Sequence, residues 1–374
     1  MLLGVLGDFH RESRENILRI TTNLVQRGVS AFIVPGDIEA KHLDEDLFHH
    51  LPVVCALVRK QHLKKEFCFP PSNWCFTKQH QGIEARLVNL GSLVDSDNKD
   101  LMVYVGHNRS MDVLNDRDSF IDFLTELDTI RGGIEWIISG HTHHQFSIQR
   151  GVKFWINPGS VEADYPAYAH EFAVVDTESK EIVFSRIPKN PIDIPQQTLG
   201  IISDTGTITA TNPKFWEDLR NALDARGATS LIINGLLARD IGRPELEFID
   251  VCYDLVPGEE VPISDQYKNW RYVDGGAPVA EVLGHRFLIQ HSLGPDLAGK
   301  TEIEMMAVVK ELAFQHHQID YVISGGFGDS IFEKSDNQGR GLSLINPGDV
   351  RDHRKLVTIC FPQEEITFTT VPFE

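Results

Sequence analysis

Basic residues are scarce in this chain: 35 lysines and arginines face 54 aspartates and glutamates, a formal net charge of -19. A surface that follows a polyphosphate backbone depends on Lys/Arg neutralisation, so this balance argues against long nucleic acid as a partner. An aromatic-basic track for single strands is also missing. A small phosphorylated substrate stays open, because bound metal ions can supply positive charge locally. Cysteine is sparse as well. The five (Cys55, Cys68, Cys75, Cys252, Cys360) form no CxxC pair and, being odd in number, cannot all be bridged. Reduced thiols in a cytoplasmic protein are the expectation. No apolar run approaches a membrane span, so no membrane partner is expected. Met1 to Leu6 lacks a basic lead-in and runs into Gly7-Asp8, which reads as a first strand and not a signal peptide.

What is present is a globular composition, with 41% apolar and 24% charged residues over 374 positions, enough for two domains. Trp136-Ile137-Ile138-Ser139-Gly140-His141-Thr142-His143 organises the first half. A β-branched apolar run reads as a buried strand ended by Gly140. In an extended chain after that turn, His141 and His143 would project the same way, into a cavity at the strand's carboxyl edge. Two imidazoles so placed suit a divalent metal, although a lone His-x-His pair is more often surface or core.

Other apolar runs end alike. Leu2 to Leu6 meets Asp8 and His10, for which a helix-capping Asp8 is the bland reading; Ala31 to Val34 meets Asp37. Val53 to Val58 meets Gln61 and His62, and Leu101 to Val105 meets His107. A helix is expected through Ile17, Ile20, Leu24 and Val25, ending near Gly28, with others around Asp44 to His50 and Ser119 to Leu127. Ala85 to Leu90, Val152 to Ile156 and a closing hairpin, Glu171 to Val175 with Glu181 to Ile187, read as strands. Strand ends have no packing reason to collect acids and imidazoles repeatedly. Carboxylates with several histidines suit manganese, iron, zinc, cobalt or nickel, manganese foremost, and so many donors fit two ions sharing a carboxylate.

In this order of motifs the chain resembles the calcineurin-like metallophosphoesterases, whose strand ends carry D-x-H, G-D, G-N-H, a lone H and G-H-x-H. Here these are Asp8-Phe9-His10, Gly36-Asp37, Lys60-Gln61-His62, His107 and Gly140-His141-Thr142-His143. Asn157-Pro158-Gly159-Ser160 matches a further stretch found in the small bacterial and archaeal phosphodiesterase branch. The resemblance implies that Asp8, His10 and His143 hold one metal, that Asp37 bridges, and that His107 and His141 hold the other. The third motif departs. Gln61 stands for the family's Asn ligand and is one methylene longer, while Lys60 stands for a flexible Gly. His62 falls where many members have a His that protonates the leaving group. Asn73 is a remote substitute for the missing amide, and Asn108 and Arg109, beside His107, are phosphate contacts or a solvated loop.

From Thr198 the chain starts again. Leu199 to Gly206 repeats the shape of Leu3 to His10, a helix at Phe215 to Ala225 ends near Gly227, and Leu231 to Leu236 echoes Ile33 to Asp37. Phe287 to His291, Tyr321 to Gly328, Asn346 to Asp349 and the segments Lys355 to Cys360 and Glu365 to Thr370 follow in the same order, an internal duplication. Only Asp204 and His291 keep ligand-type side chains; Gly206, Leu236, Gly326 and Gly328 replace the others. Ile187 to Gln197, with Pro188, Pro191 and Pro195, is the natural linker.

The expectation is an α/β protein of two tandem metallophosphoesterase-like α/β/β/α sandwich domains. Residues 1–190 would be the phosphoesterase, binding two divalent transition-metal ions and acting on a small phosphodiester or phosphomonoester. Residues 198–374 would be a metal-free copy packed on it as a pseudo-dimer. Against this stands a binding module, since some family members with damaged metal sites, including a retromer subunit of vesicle sorting, serve as scaffolds. A nuclease is a third reading, disfavoured by the acidic balance.

Overall fold

The computed structural model describes residues 1–9, 12–36, 38, 42, 44–55, 74–76, 79–80, 83–89, 102–106, 134–140, 143–150, 153–162, 170–187, 196–203, 205, 214–255, 269–273, 279–290, 302–316, 319–325, 330–337, 340–348, 355–361 and 363–371. They fall into two compact units, Met1–Ser147 with Val152–Ile192, and Asp193–Glu374 with Ile148–Gly151.

The first unit runs β1 (Leu2–Val5), α1 (Arg14–Gln26), β2 (Ala31–Val34), β3 (Val53–Cys55), β4 (Trp74–Phe76), β5 (Gln79–His80) and β6 (Ile83–Asn89). It continues through β7 (Met102–Gly106), β8 (Ile134–Ser139), β9 (Gln145–Arg150, of which only Gln145 to Ser147 belong to this unit), β10 (Lys153–Pro158), β11 (His170–Asp176) and β12 (Glu181–Ile187). One sheet has the order β12-β11-β1-β2-β3-β4 and the other β9-β10-β8-β7-β6-β5. β1, β2 and β3 are parallel neighbours, as are β7, β8 and β10. β2 is buried at every position, the pattern of a strand covered on both faces.

Helix α1 covers one of those faces. Ile17, Ile20 and Leu24, at helical spacing, are fully buried with Phe32, Val34, Val53 and Phe172. Each such side chain contributes roughly 1.5–3 kcal/mol by leaving water. A Cβ at Gly4 would lie 2.9 Å from the Phe32 ring and 3.3 Å from Leu24, so glycine lets the helix sit this close to β1. The helix is capped by Ser13, whose Oγ accepts from Asn16 N at 3.2 Å, and not by Asp8. The helix expected around residues 44–50 is a single 3-10 turn, Glu45–Phe48, capped by Asp44. His49 and His50 follow in the left-handed region (φ 53 and 58), which stops it.

The second unit runs β13 (Gln197–Ser203), α2 (Phe215–Ala225), β14 (Ala228–Leu236), β15 (Asp250–Leu255), β16 (Trp270–Tyr272), β17 (Val279–Val282) and β18 (His285–Gln290). Then come α3 (Glu302–His316), β19 (Tyr321–Ser324), β20 (Ser330–Asn337), β21 (Arg340–Asn346), β22 (Lys355–Phe361) and β23 (Glu365–Thr370). Its sheets have the orders β23-β22-β13-β14-β15-β16 and β20-β21-β19-β18-β17. Leu3 pairs with Val175 and Ala31 in the first unit, and Leu199 with Ile359 and Ser230 in the second. A Cβ at Gly200 would press on Leu223 of α2 at 2.5 Å, as one at Gly4 would on α1. Among the described residues no helix is long and apolar enough to cross a membrane.

Candidate metal centre at the strand ends

Glycines bring the ends of β1, β2, β8 and β10 together. A Cβ at Gly36 would lie 2.2 Å from Asp8 N and 2.6 Å from Asp8 Oδ1, so only glycine lets the end of β2 rest against the Asp8 carboxylate. A Cβ at Gly140 would lie 3.0 Å from Gly36 Cα and 3.0 Å from Pro35 O, and one at Gly7 2.1 Å from Gly159 O. Asn157 fixes the same corner from the side: its Nδ2 donates to Gly140 O at 3.2 Å and its Oδ1 accepts from Gly159 N at 3.0 Å. Carboxyl ends of parallel strands are where open α/β sheets bind ligands.

Asp8 lies at the bottom of this corner with no exposure and φ 38. His143 stands above it, one-third exposed, with Nε2 3.9 Å from Asp8 Oδ1. That separation is too long for a hydrogen bond. It lies inside the limit of about 4 Å for two donors that each reach one ion at roughly 2.0–2.2 Å. A fully buried carboxylate also demands a compensating positive charge or donors. A hard carboxylate oxygen and an imidazole nitrogen therefore fit a divalent transition metal here.

His143 reaches this place for a reason other than strand alternation. Its φ of 60 puts it in the left-handed region, so the chain is not extended at His143 itself, while His141, the other half of the like-facing expectation, lies outside the described residues. Of the expected ligands, Asp8 and His143 are described and come together. His10, Asp37, Gln61, His107 and His141 lie outside the described residues, as do the expected acid His62 and the candidates Asn73, Asn108 and Arg109. Among their described neighbours, Gly36 precedes Asp37, Gly106 precedes His107 and Gly140 precedes His141. Gly106 pairs with Ser139 where β7 and β8 end.

The sequence reading passed over Ser160 as a site residue. Its Oγ donates to Asp8 O at 3.1 Å, while Val161 N and Glu162 N donate to Gly7 O (2.9 Å) and Asp8 O (3.3 Å). The signal was the Asn-Pro-Gly-Ser turn itself, with Gly159 at φ 82.

The matching corner of the second unit is built differently. Ser203, four residues after Leu199 as Gly7 is after Leu3, donates through Oγ to Gly348 O at 2.8 Å. Asn234 Nδ2 donates to Ile323 O at 3.3 Å, Thr205 Oγ1 to Gly235 O at 3.4 Å, and Leu236 is fully buried in the apolar cluster. Asp204, Gly206, His291, Gly326 and Gly328 lie outside the described residues. A cavity of about 360 Å³ in this unit, lined by Ser230, Asp250, Cys252 and Arg271 among others, opens near the starts of β14 and β15. The Cys252 thiol is pushed above its ordinary pKa by burial, against the opposing pull of Arg271, whose Nη2 donates to its Sγ at 2.8 Å.

Residues 1–180 match the model of the calcineurin-like phosphoesterase superfamily domain. Similar solved structures include a predicted phosphoesterase from Streptococcus pneumoniae, 16% identical, covering 50% of this chain and 88% of that one, with a TM-score of 0.32. A novel archaeal phosphodiesterase is 18% identical over 50% of this chain and 99% of its own, with a TM-score of 0.34. Vacuolar protein sorting 29 from Cryptosporidium parvum is 16% identical over 51% and 92%, with a TM-score of 0.34. No curated protein matches the chain. The amino-terminal part of the chain is thus similar to the calcineurin-like phosphoesterase superfamily domain, a superfamily whose members are mostly hydrolytic phosphoesterases that bind divalent metal ions.

Proposed function

We propose that the chain is a cytoplasmic metal-dependent phosphoesterase that hydrolyses small phosphodiesters or phosphomonoesters at the strand ends of its first unit. The observation that carries this reading is the meeting of buried Asp8 with His143, 3.9 Å apart, at a corner closed by Gly36 and Gly140. Asp8, His10 and His143 would hold one divalent ion, Asp37 would be shared, and Gln61, His107 and His141 would hold a second, manganese being the first choice for both. Bound ions supply Lewis-acid polarisation of the phosphoryl oxygens and a hydroxide at neutral pH. The chain's own part is to hold the donors rigidly, and His62 holds the proton that the leaving oxygen takes.

The second unit is, in this reading, a duplicated copy that has lost its metal site. Its support is the shared strand order and register, with Leu236 where the first unit has Asp37. The test is elemental analysis with bis-p-nitrophenyl phosphate turnover, on the wild type and on Asp37→Asn. Near two transition-metal ions per chain, with metal and turnover falling together in the variant, supports the enzyme.

The altered third motif, Lys60-Gln61-His62, favours one competing reading: a scaffold that keeps the fold and has lost catalysis. No metal uptake after manganese supplementation, together with no turnover, would put the scaffold first.

A further inference from the structure

A left-handed backbone at a non-glycine residue persists only where its surroundings over-determine it. Asp8, at φ 38, is such a residue, and the contacts that hold it lead away from the metal corner to a second buried cluster. The segment that captures the Gly7 and Asp8 carbonyls, through Ser160 Oγ, Val161 N and Glu162 N, is itself tied down by His170. His170 Nδ1 lies 2.7 Å from Val161 O; a carbonyl can only accept, so this nitrogen carries the hydrogen. The same nitrogen is 3.4 Å from Glu12 Oε2. The other Glu12 oxygen accepts from Ser13 N (2.8 Å) and Asn16 Nδ2 (2.7 Å) at the start of α1. Glu12 N donates to Phe9 O at 2.8 Å, and Glu12 O accepts from His42 Nε2 at 2.9 Å. Glu12, His42 and His170 are 9%, 0% and 2% exposed.

The contacts form a closed circuit around the limb that carries Asp8: strand end, Ser160 turn, His170, Glu12, helix start. None of its side chains is an expected ligand, so metal coordination does not explain them. We infer that His170, with Glu12 and Ser160, is a positioning device that holds the Asp8 limb in its metal-binding conformation. The inference rests on the metal-site reading above. Outer partners of metal ligands commonly change affinity by about 10–100-fold when removed.

The test is calorimetric titration of manganese into metal-stripped full-length protein, comparing the wild type with His170→Leu, His170→Asn and Ser160→Ala. The Asn side chain places an amide N–H where Nδ1–H stood. His170→Leu and Ser160→Ala are expected to weaken binding by about 10–100-fold, and His170→Asn to recover most of the loss. The thermal midpoint of the metal-free protein, read alongside, should not follow that order. Wild-type-like affinity in His170→Leu and Ser160→Ala overturns the device. So does a loss in His170→Asn as large as in His170→Leu. Should His170→Leu fail to fold, Ser160→Ala and His170→Asn decide alone. A wild type that takes up no manganese overturns this inference and the metal-site reading together, whereas wild-type binding that every variant retains overturns only the positioning role.

Discussion

The strand-end corners of the two units share a frame and differ in filling. In the first, glycines at positions 7 and 36 let backbones approach to where no Cβ fits, Gly140 packs tightly on Gly36, and Gly36 rests against the buried Asp8 carboxylate. In the second, side chains bridge the strand ends. Ser203 bonds Gly348 O, Asn234 bonds Ile323 O, and Leu236 extends the apolar core. Neutral hydroxyls and amides satisfy buried carbonyls without a charge to compensate. A packed carboxylate corner demands a compensating cation or hydrogen-bond donors, and a packed amide corner does not.

The largest expected effect breaks the comparison at its charged member. Asp8→Asn should lower phosphodiester turnover roughly 1,000-fold, while Asp204→Asn in the second unit should leave turnover within about twofold in the same assay. Next in size, Leu236→Asp places an acid in an apolar cluster. It should cost roughly 4 kcal/mol in urea unfolding without adding a bound ion. Exchanging the corner residues sharpens the point. Gly7→Ser should cost about 3 kcal/mol or more, because its Cβ meets Gly159 O at 2.1 Å. Ser203→Gly should cost only about 1–2 kcal/mol for one hydrogen bond and added chain freedom.

The smallest effect belongs to the first unit's surface. The hydrogen bond from Arg14 holds the Asp44 carboxyl below its ordinary pKa of 3.8. A lowered carboxyl stabilises the fold fully above its unfolded pKa and loses that contribution as pH falls through the folded one. Arg14 is half-exposed, so the contribution is screened to about 0.5 kcal/mol. Arg14→Leu should therefore be less stable than the wild type by that amount at pH 7 in denaturant titration, with the difference shrinking as pH falls below the ordinary carboxylate range.

Much of this was legible in the chain because buried parallel strands are continuous apolar runs. Leu2 to Leu6, Ala31 to Val34 and Trp136 to Ser139 declare themselves, and the acids and histidines after them stand out. Other parts were not legible, for physical reasons. β9 and β20 are hairpin strands whose QFSIQR and SIFEKSDN alternate weakly and follow the motif without a turn signal of their own. The 44–50 segment has helical spacing, but two left-handed histidines end it after one 3-10 turn. Asp8 resembles a cap residue in sequence, yet Ser13 takes that role and frees Asp8 for the corner. The approach of Gly36 to Asp8 and Gly140 to Gly36 is tertiary, and the His170–Glu12 contact spans too much chain for any local pattern to announce it.

The most direct measurement is anomalous scattering at the manganese edge from crystals of the full chain grown with manganese. Two peaks are expected beside Asp8 and His143 in the first unit and none beside Ser203 and Leu236 in the second. A peak in the second unit, or an empty first unit, would contradict this expectation.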